Sequence, residues 1–135
     1  CVVTADRRLP PGRAPADVDP LVRSAIGPGD YDLEWLQSDG GTRSSMETTI
    51  WSALEKWVAE EDPGARLAPV VCAGFTDSHW MRDAFGTVAY GFFPQKAMDP
   101  ELAARLVHSA DERIPVDDLE LGVYALRAAA LSLEG

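Results

Sequence analysis

Two apolar runs decide the fold: "LAPVVCAGF" (67–75) and "TVAYGFF" (87–93), separated by "TDSHWMRDAFG" (76–86). A short, continuous apolar run bounded by turn residues reads as a strand buried on both faces. The intervening stretch offers a helix capped at Thr76 or Asp77 and left through Gly86. Strand, helical crossover and strand imply parallel pairing with a right-handed connection.

Upstream, residues 2–6 read as a strand that "LPPGRAP" (9–15) interrupts. A short helix follows, capped by Asp19 with Pro20 at its first position, or starting nearer Asp17. Val18, Val22, Ala25 and Ile26 share its face and Gly27 ends it. "YDLEWL" (31–36) alternates like a half-buried strand. "QSDGGTRSS" (37–45) is the boundary, after which Ser44 and Glu47 form a capping box. Ile50, Leu54, Trp57 and Val58 then give a strongly amphipathic helix that stops at "EDPG" (61–64). Residues 99–106 read as a helix or, within "FFPQKAMDPELAARL" (92–106), as loop with one or two turns. A final helix runs from Pro115 to about Ser132, with Leu119, Val123, Leu126 and Ala130 as its buried stripe. Asp117 and Asp118 suit its positive N-terminal end. The expected fold class is α/β, two pieces of strand-and-helix structure joined near residue 41.

A chain of 135 residues is one ordinary domain or pieces of two. Its 46% hydrophobic and 25% charged residues are a globular composition. A net charge of −10, from 22 acidic and 12 basic residues, argues against a nucleic-acid partner, whose phosphates need a basic face. No apolar run approaches the ~20 residues that cross a bilayer, so no membrane partner is expected and the cytoplasm is the expected location. Cys1 and Cys72 make no disulfide framework, and no CxxC pair exists for a zinc finger. "CVVTAD" (1–6) lacks an initiating Met and a signal core. It reads as the inside of a strand, the expectation being a piece of something longer.

The loop "AGFTDSHWMR" (73–82) leaves an apolar run and enters a helix, where open α/β folds place ligands. Thr76, Asp77 and Ser78 can offer hydroxyls and helix N-terminal amides to an anion such as a carboxylate, or can simply cap the helix. His108, in "VHSADERIPVDDL" (107–119), has Asp111 or Glu112 as candidates to share its second ring nitrogen. A solvated histidine is the alternative. A catalytic zinc needs about three protein ligands, and neither H-x-D nor H-E-x-x-H occurs. His79 reads as facing solvent and Cys72 as a small buried hydrophobe. Trp35, Trp51, Trp57 and Trp80 read as core or edge-of-core residues.

In sum "GFTDS" (74–78), "YGFFP" (90–94) and "HSADERI" (108–114), in that order, resemble the C-terminal portion of a zinc peptidase and deacylase family. Its members include aminoacylase, acetylornithine deacetylase and succinyl-diaminopimelate desuccinylase types. "VVTADRRLPPGRAPADV" (2–18) is similar to that family's inserted lid domain. The resemblance implies a strand–helix–strand second half of a ferredoxin-like lid at residues 1–41. Residues 42–135 would be the end of a mostly parallel, helix-flanked catalytic sheet. It further implies two zinc ions per complete enzyme (cobalt or manganese as alternatives), with His108 a ligand to one. Thr76, Asp77 and Ser78, with Gly91, Phe92 and Pro94, would face a small N-acyl amino acid or peptide, and the lid would pair two subunits. Many relatives carry Arg where this chain has His79, so Arg82 becomes the candidate for the substrate carboxylate. The family's other ligands and its general-base glutamate have no counterpart here. The chain alone is therefore expected to be inactive. The competing reading is a non-catalytic fragment that acts by protein association through an exposed strand edge.

Overall fold

The computed structural model describes residues 1–37 and 39–133; Ser38 of the expected boundary lies outside them. Among the described residues the regular structure is helical: α1 Asp19–Ile26, α2 Thr49–Glu61, α3 Ser78–Phe85, α4 Pro100–Leu106 and α5 Val116–Leu131, with a 3-10 turn at Pro15–Asp17. The only β pairings among them are two isolated bridges, Pro11 with Gly41 and Pro63 with Ala65. This overturns the α/β expectation: among the described residues there is neither a half-lid sheet in 1–41 nor a catalytic sheet in 42–135. The physical reason lies in exposure. Val70 is 89% exposed in a run expected to be buried on both faces, and Val2, in the segment read as a strand at 2–6, is 93% exposed. An extended segment is stabilised by its neighbours, and with no strand beside it its backbone donors and acceptors stay with water.

None of the described helices is long and apolar enough to cross a membrane. The chain divides into two compact units, Cys1–Ser44 with Val70–Tyr90, and Ser45–Pro69 with Gly91–Gly135.

In the first unit, Val18 is buried where the 3-10 turn runs into α1. Asp17 Oδ2 accepts the Ala14 N–H at 3.0 Å, satisfying one donor of that turn. Along α1, Asp19 accepts from Arg23 Nε at 2.6 Å, and from the Trp35 indole Nε1 at 3.1 Å. These bonds hold the Asp19 carboxyl below its ordinary range, the Arg23 bond contributing most and the Trp35 bond next. Residues 31–36 are thus fastened by one indole rather than by a ladder. Gly41 lies against residues 9–10, where an added Cβ would stand 2.7 Å from the Pro10 carbonyl carbon and oxygen. Backbone cannot yield there, so only glycine fits.

In the second unit α2 follows the expected pattern, with Leu54 buried and Ile50, Trp57 and Val58 half-buried. Its cap differs. Thr48, not Ser44, accepts the Trp51 N–H at 3.1 Å, so the helix starts at Thr49. Of the two readings open for residues 99–106, helix and loop, the helix holds: α4 is capped by Asp99 accepting from Leu102 N at 2.8 Å.

α5 packs on α2, but not through the expected stripe. Leu119, Val123, Leu126 and Ala130 are exposed, and Asp118, Gly122 and Ala125 are buried. Two contacts set this rotation. Asp118 accepts backbone N–H bonds from Lys96 (2.7 Å), Ala97 (2.9 Å) and Met98 (2.8 Å). Gly122 admits the Phe93 ring, whose Cε2 would lie 2.5 Å from a Cβ at that position.

The three N–H groups favour the ionised Asp118, and its carboxyl is pushed below the ordinary value of 3.8, by Ala97 first and Lys96 next. Its stabilisation is therefore complete above about pH 4 and fades as the pH falls through the lowered value. Asp118→Asn should lower thermal stability at pH 7, with the deficit shrinking below pH 3.8, measured by circular-dichroism melts across pH. Leu54→Ala should cost about 2–3 kcal/mol by urea unfolding, since Leu54 is a buried leucine. Gly41→Ala should cost about 1–3 kcal/mol by the same assay, because the methyl meets fixed backbone.

Candidate functional site

His108 follows α4 directly, in the turn that leads to α5. Its φ is +62°, the left-handed conformation, and it alone among the described non-glycine residues adopts a positive φ. Left-handed backbone costs a side-chain-bearing residue about 1 kcal/mol, although histidine tolerates it better than most. The turn is closed by Ser109 N donating to Leu106 O at 2.9 Å, and by Glu112 N donating to Ser109 O at 3.3 Å. Glu112 Oε2 accepts the His108 backbone N–H at 3.3 Å. Asp111 N donates to Ser109 Oγ at 3.3 Å, and Arg113 Nη1 to the Asp111 carbonyl at 3.1 Å. The two carboxylates expected to serve the imidazole thus lie in its turn, with Glu112 engaging the histidine's backbone. His108 is exposed. An open groove of about 600 Å³ is lined by Val107, Glu112, Arg113 and Ile114 from the same stretch together with Pro100 and Leu106 of α4, and His108 itself is not part of its lining.

Among the described residues, no group of three or more His, Cys, Asp or Glu side chains is placed to hold a metal ion. His108, Asp111 and Glu112 would be enough donors by type, but the turn does not gather them into such a group.

The loop at 76–82 belongs to the first unit. Asp77 occupies the N-cap position of α3 with helical backbone angles and makes no side-chain cap bond. The carbonyls close the turn instead, Thr76 O accepting His79 N at 3.0 Å and Asp77 O accepting Met81 N at 3.1 Å. Thr76 and Asp77 are exposed, and Ser78 is half-buried. Arg82, the candidate for a substrate carboxylate, is bound within the protein. Its Nε donates to Ser44 Oγ (3.0 Å), Nη1 to Thr42 Oγ1 (3.3 Å) and Nη2 to the Ala89 carbonyl (2.5 Å). Ser44 completes the arrangement, donating to Ala89 O at 3.1 Å and accepting from Ala89 N at 2.9 Å. Read from the sequence as a helix cap, Ser44 instead joins residue 44 to residue 89. A short polar run beside a turn was the only signal of it.

His79, expected in solvent, is half-buried. Its ring packs 4.9 Å from Phe75 and 4.8 Å, edge to face, from Trp80, and its Nδ1 lies 3.5 Å from Thr42 Oγ1. Cys72, read as a buried hydrophobe, is exposed. Gly91, Phe92 and Pro94 lie in the second unit. There Phe92 packs edge to face on Trp57 at 6.1 Å, a packing contact, and a Cβ on Gly91 would meet nothing within 4 Å.

No family model matches the chain, and no curated protein or solved structure matches it either.

Ser44→Ala removes the hydroxyl that serves Ala89 and Arg82 together, and should cost about 1–2 kcal/mol in urea unfolding. Arg82→Lys should cost a similar amount, since one ammonium cannot span three acceptors in the guanidinium's fork geometry.

Proposed function

We propose that this chain supplies one histidine, His108, to a metal-dependent hydrolase that cleaves an amide bond in a small N-acyl amino acid or peptide. The observation that carries the reading is His108 itself. It stands exposed in a left-handed turn beside a groove, within the "HSADERI" motif (108–114) that resembles the zinc peptidase and deacylase family. The reading draws on the motifs and on this turn, and owes nothing to a sheet.

Zinc is the metal the resemblance implies, with cobalt or manganese as alternatives. The donors present do not fit it: among the described residues His108 has no second and third ligand beside it. The part assigned to this chain is therefore restricted to presenting an imidazole on a short closed turn. Thr76, Asp77 and Ser78 are candidates for substrate contact. Arg82 is a weaker one, since its guanidinium is already bonded to Thr42, Ser44 and Ala89.

One observation favours a second reading, association with another protein. Val2, Val3, Val70 and Val71 are exposed on extended segments, where unpaired backbone is a template for an added strand.

In the natural gene product charged with zinc, His108→Ala should lower kcat/KM for an N-acyl amino acid by roughly a hundredfold or more, measured by steady-state kinetics. Unchanged turnover would remove the hydrolase reading. The 135-residue chain by itself should hold no stoichiometric zinc by elemental analysis.

A further inference from the structure

The rotation of α5 that buries Asp118, Gly122 and Ala125 leaves another apolar line in solvent. Val116, Leu119, Val123, Leu126 and Ala130 recur along α5 at alternating intervals of three and four, the heptad spacing of a two-helix seam, and Leu133 keeps the interval just past the helix end. Val116 is 77%, Leu119 50%, Val123 56% and Leu126 64% exposed, so the seam is unoccupied along its length. In heptad terms valine, valine and alanine hold one core position and leucine holds the other three times.

We propose that this face pairs antiparallel with the same face of a second copy of the chain. Charge placement selects that occupant and that direction. Glu120 and Arg127 flank the stripe on the side away from the buried face, one heptad apart and opposite in sign. In antiparallel pairing Val123 meets the partner's Leu126, and Leu119 meets the partner's Ala130. That register sets Glu120 beside the partner's Arg127, and the two-fold axis repeats the pair. Tyr124, on the side of Glu120 away from the stripe, donates its hydroxyl to Glu120 Oε1 at 2.8 Å. Parallel pairing gives no such match. It would set Glu120 against the partner's Pro115 and Arg127 against the partner's Gly122, neither of which carries a charge.

A contact one helix wide lies at the small end of specific interfaces, so the association is a weak, reversible one. The net charge of −10 also opposes it unless salt screens the distant charges.

Sedimentation velocity at about 0.15 M salt, from about 10 µM to about 1 mM, tests the pairing. The wild-type chain should show a monomer–dimer equilibrium. Glu120→Arg and Arg127→Glu should each weaken it about tenfold or more by setting like charges opposite. The double variant should return to within about threefold of wild type. Val123→Glu, at a position exposed in the single chain, should abolish dimers while far-ultraviolet circular dichroism keeps its helical signal. A wild-type chain that stays monomeric throughout overturns the proposal. So does association that Val123→Glu leaves intact, or weakening by the single charge reversals that the double variant does not repair.

Discussion

The second unit depends on one carboxylate. Asp118 sits in the first turn of α5, with 1% of its surface exposed, and takes the backbone N–H groups of Lys96, Ala97 and Met98. A buried carboxylate is tolerable only when its lone pairs are satisfied, and three amide donors satisfy them. The same bonds shape residues 96–98. They carry Met98 into the small core with Leu54 and Ala125, and they hold Lys96 where its ammonium reaches the Glu61 carbonyl (3.1 Å) and carboxylate (3.0 Å) at the end of α2. The exposed apolar line on α5 follows from this choice. A helix turned to aim Asp118 inward cannot also aim Leu119 and Val123 inward, because those side chains leave the axis in other directions.

The first unit meets a different constraint with similar means. Its extended segments lack ladders, so side chains supply the cross-links that neighbouring strands would have made. Ser44 both donates to and accepts from the backbone of Ala89, and Arg82 braces the pair from α3. Trp35 reaches Asp19. Such links fasten points rather than lines, which agrees with the high exposure of Val70 and Val71 between them. Backbone groups not so fastened remain with water, where their hydrogen bonds cost nothing.

What the sequence shows plainly is what local chemistry determines. The spacing of Ile50, Leu54, Trp57 and Val58 gives α2, and Gly27 and Gly86 stand with positive φ at the ends of α1 and α3. The runs at 67–75 and 87–93 mislead because an apolar run states a preference for burial without naming what will cover it. α5 hides its orientation for another reason. Its alanines and leucines surround the axis, so several faces qualify as apolar and the polar residue decides between them. Asp118 looked like a partner for the helix dipole, and only the folded chain reveals that it binds residues twenty or more positions earlier. Asp99, by contrast, stands directly before Pro100, a recognisable N-terminal pairing that a loop-like composition masked.

The candidate residues separate by what their side chains are already doing. Arg82 makes three hydrogen bonds inside the protein, so a carboxylate ligand would have to compete with them or take its remaining N–H groups. Phe92 is committed to Trp57. His108 is different: its backbone is restrained by the Glu112 carboxylate and by the bonds of its turn, while the imidazole is left exposed. The coordination of a catalytic metal draws donors from several elements, and a single closed turn offers only one stretch of chain. The bonds of the turn therefore restrain the His108 backbone and leave its side chain at the surface.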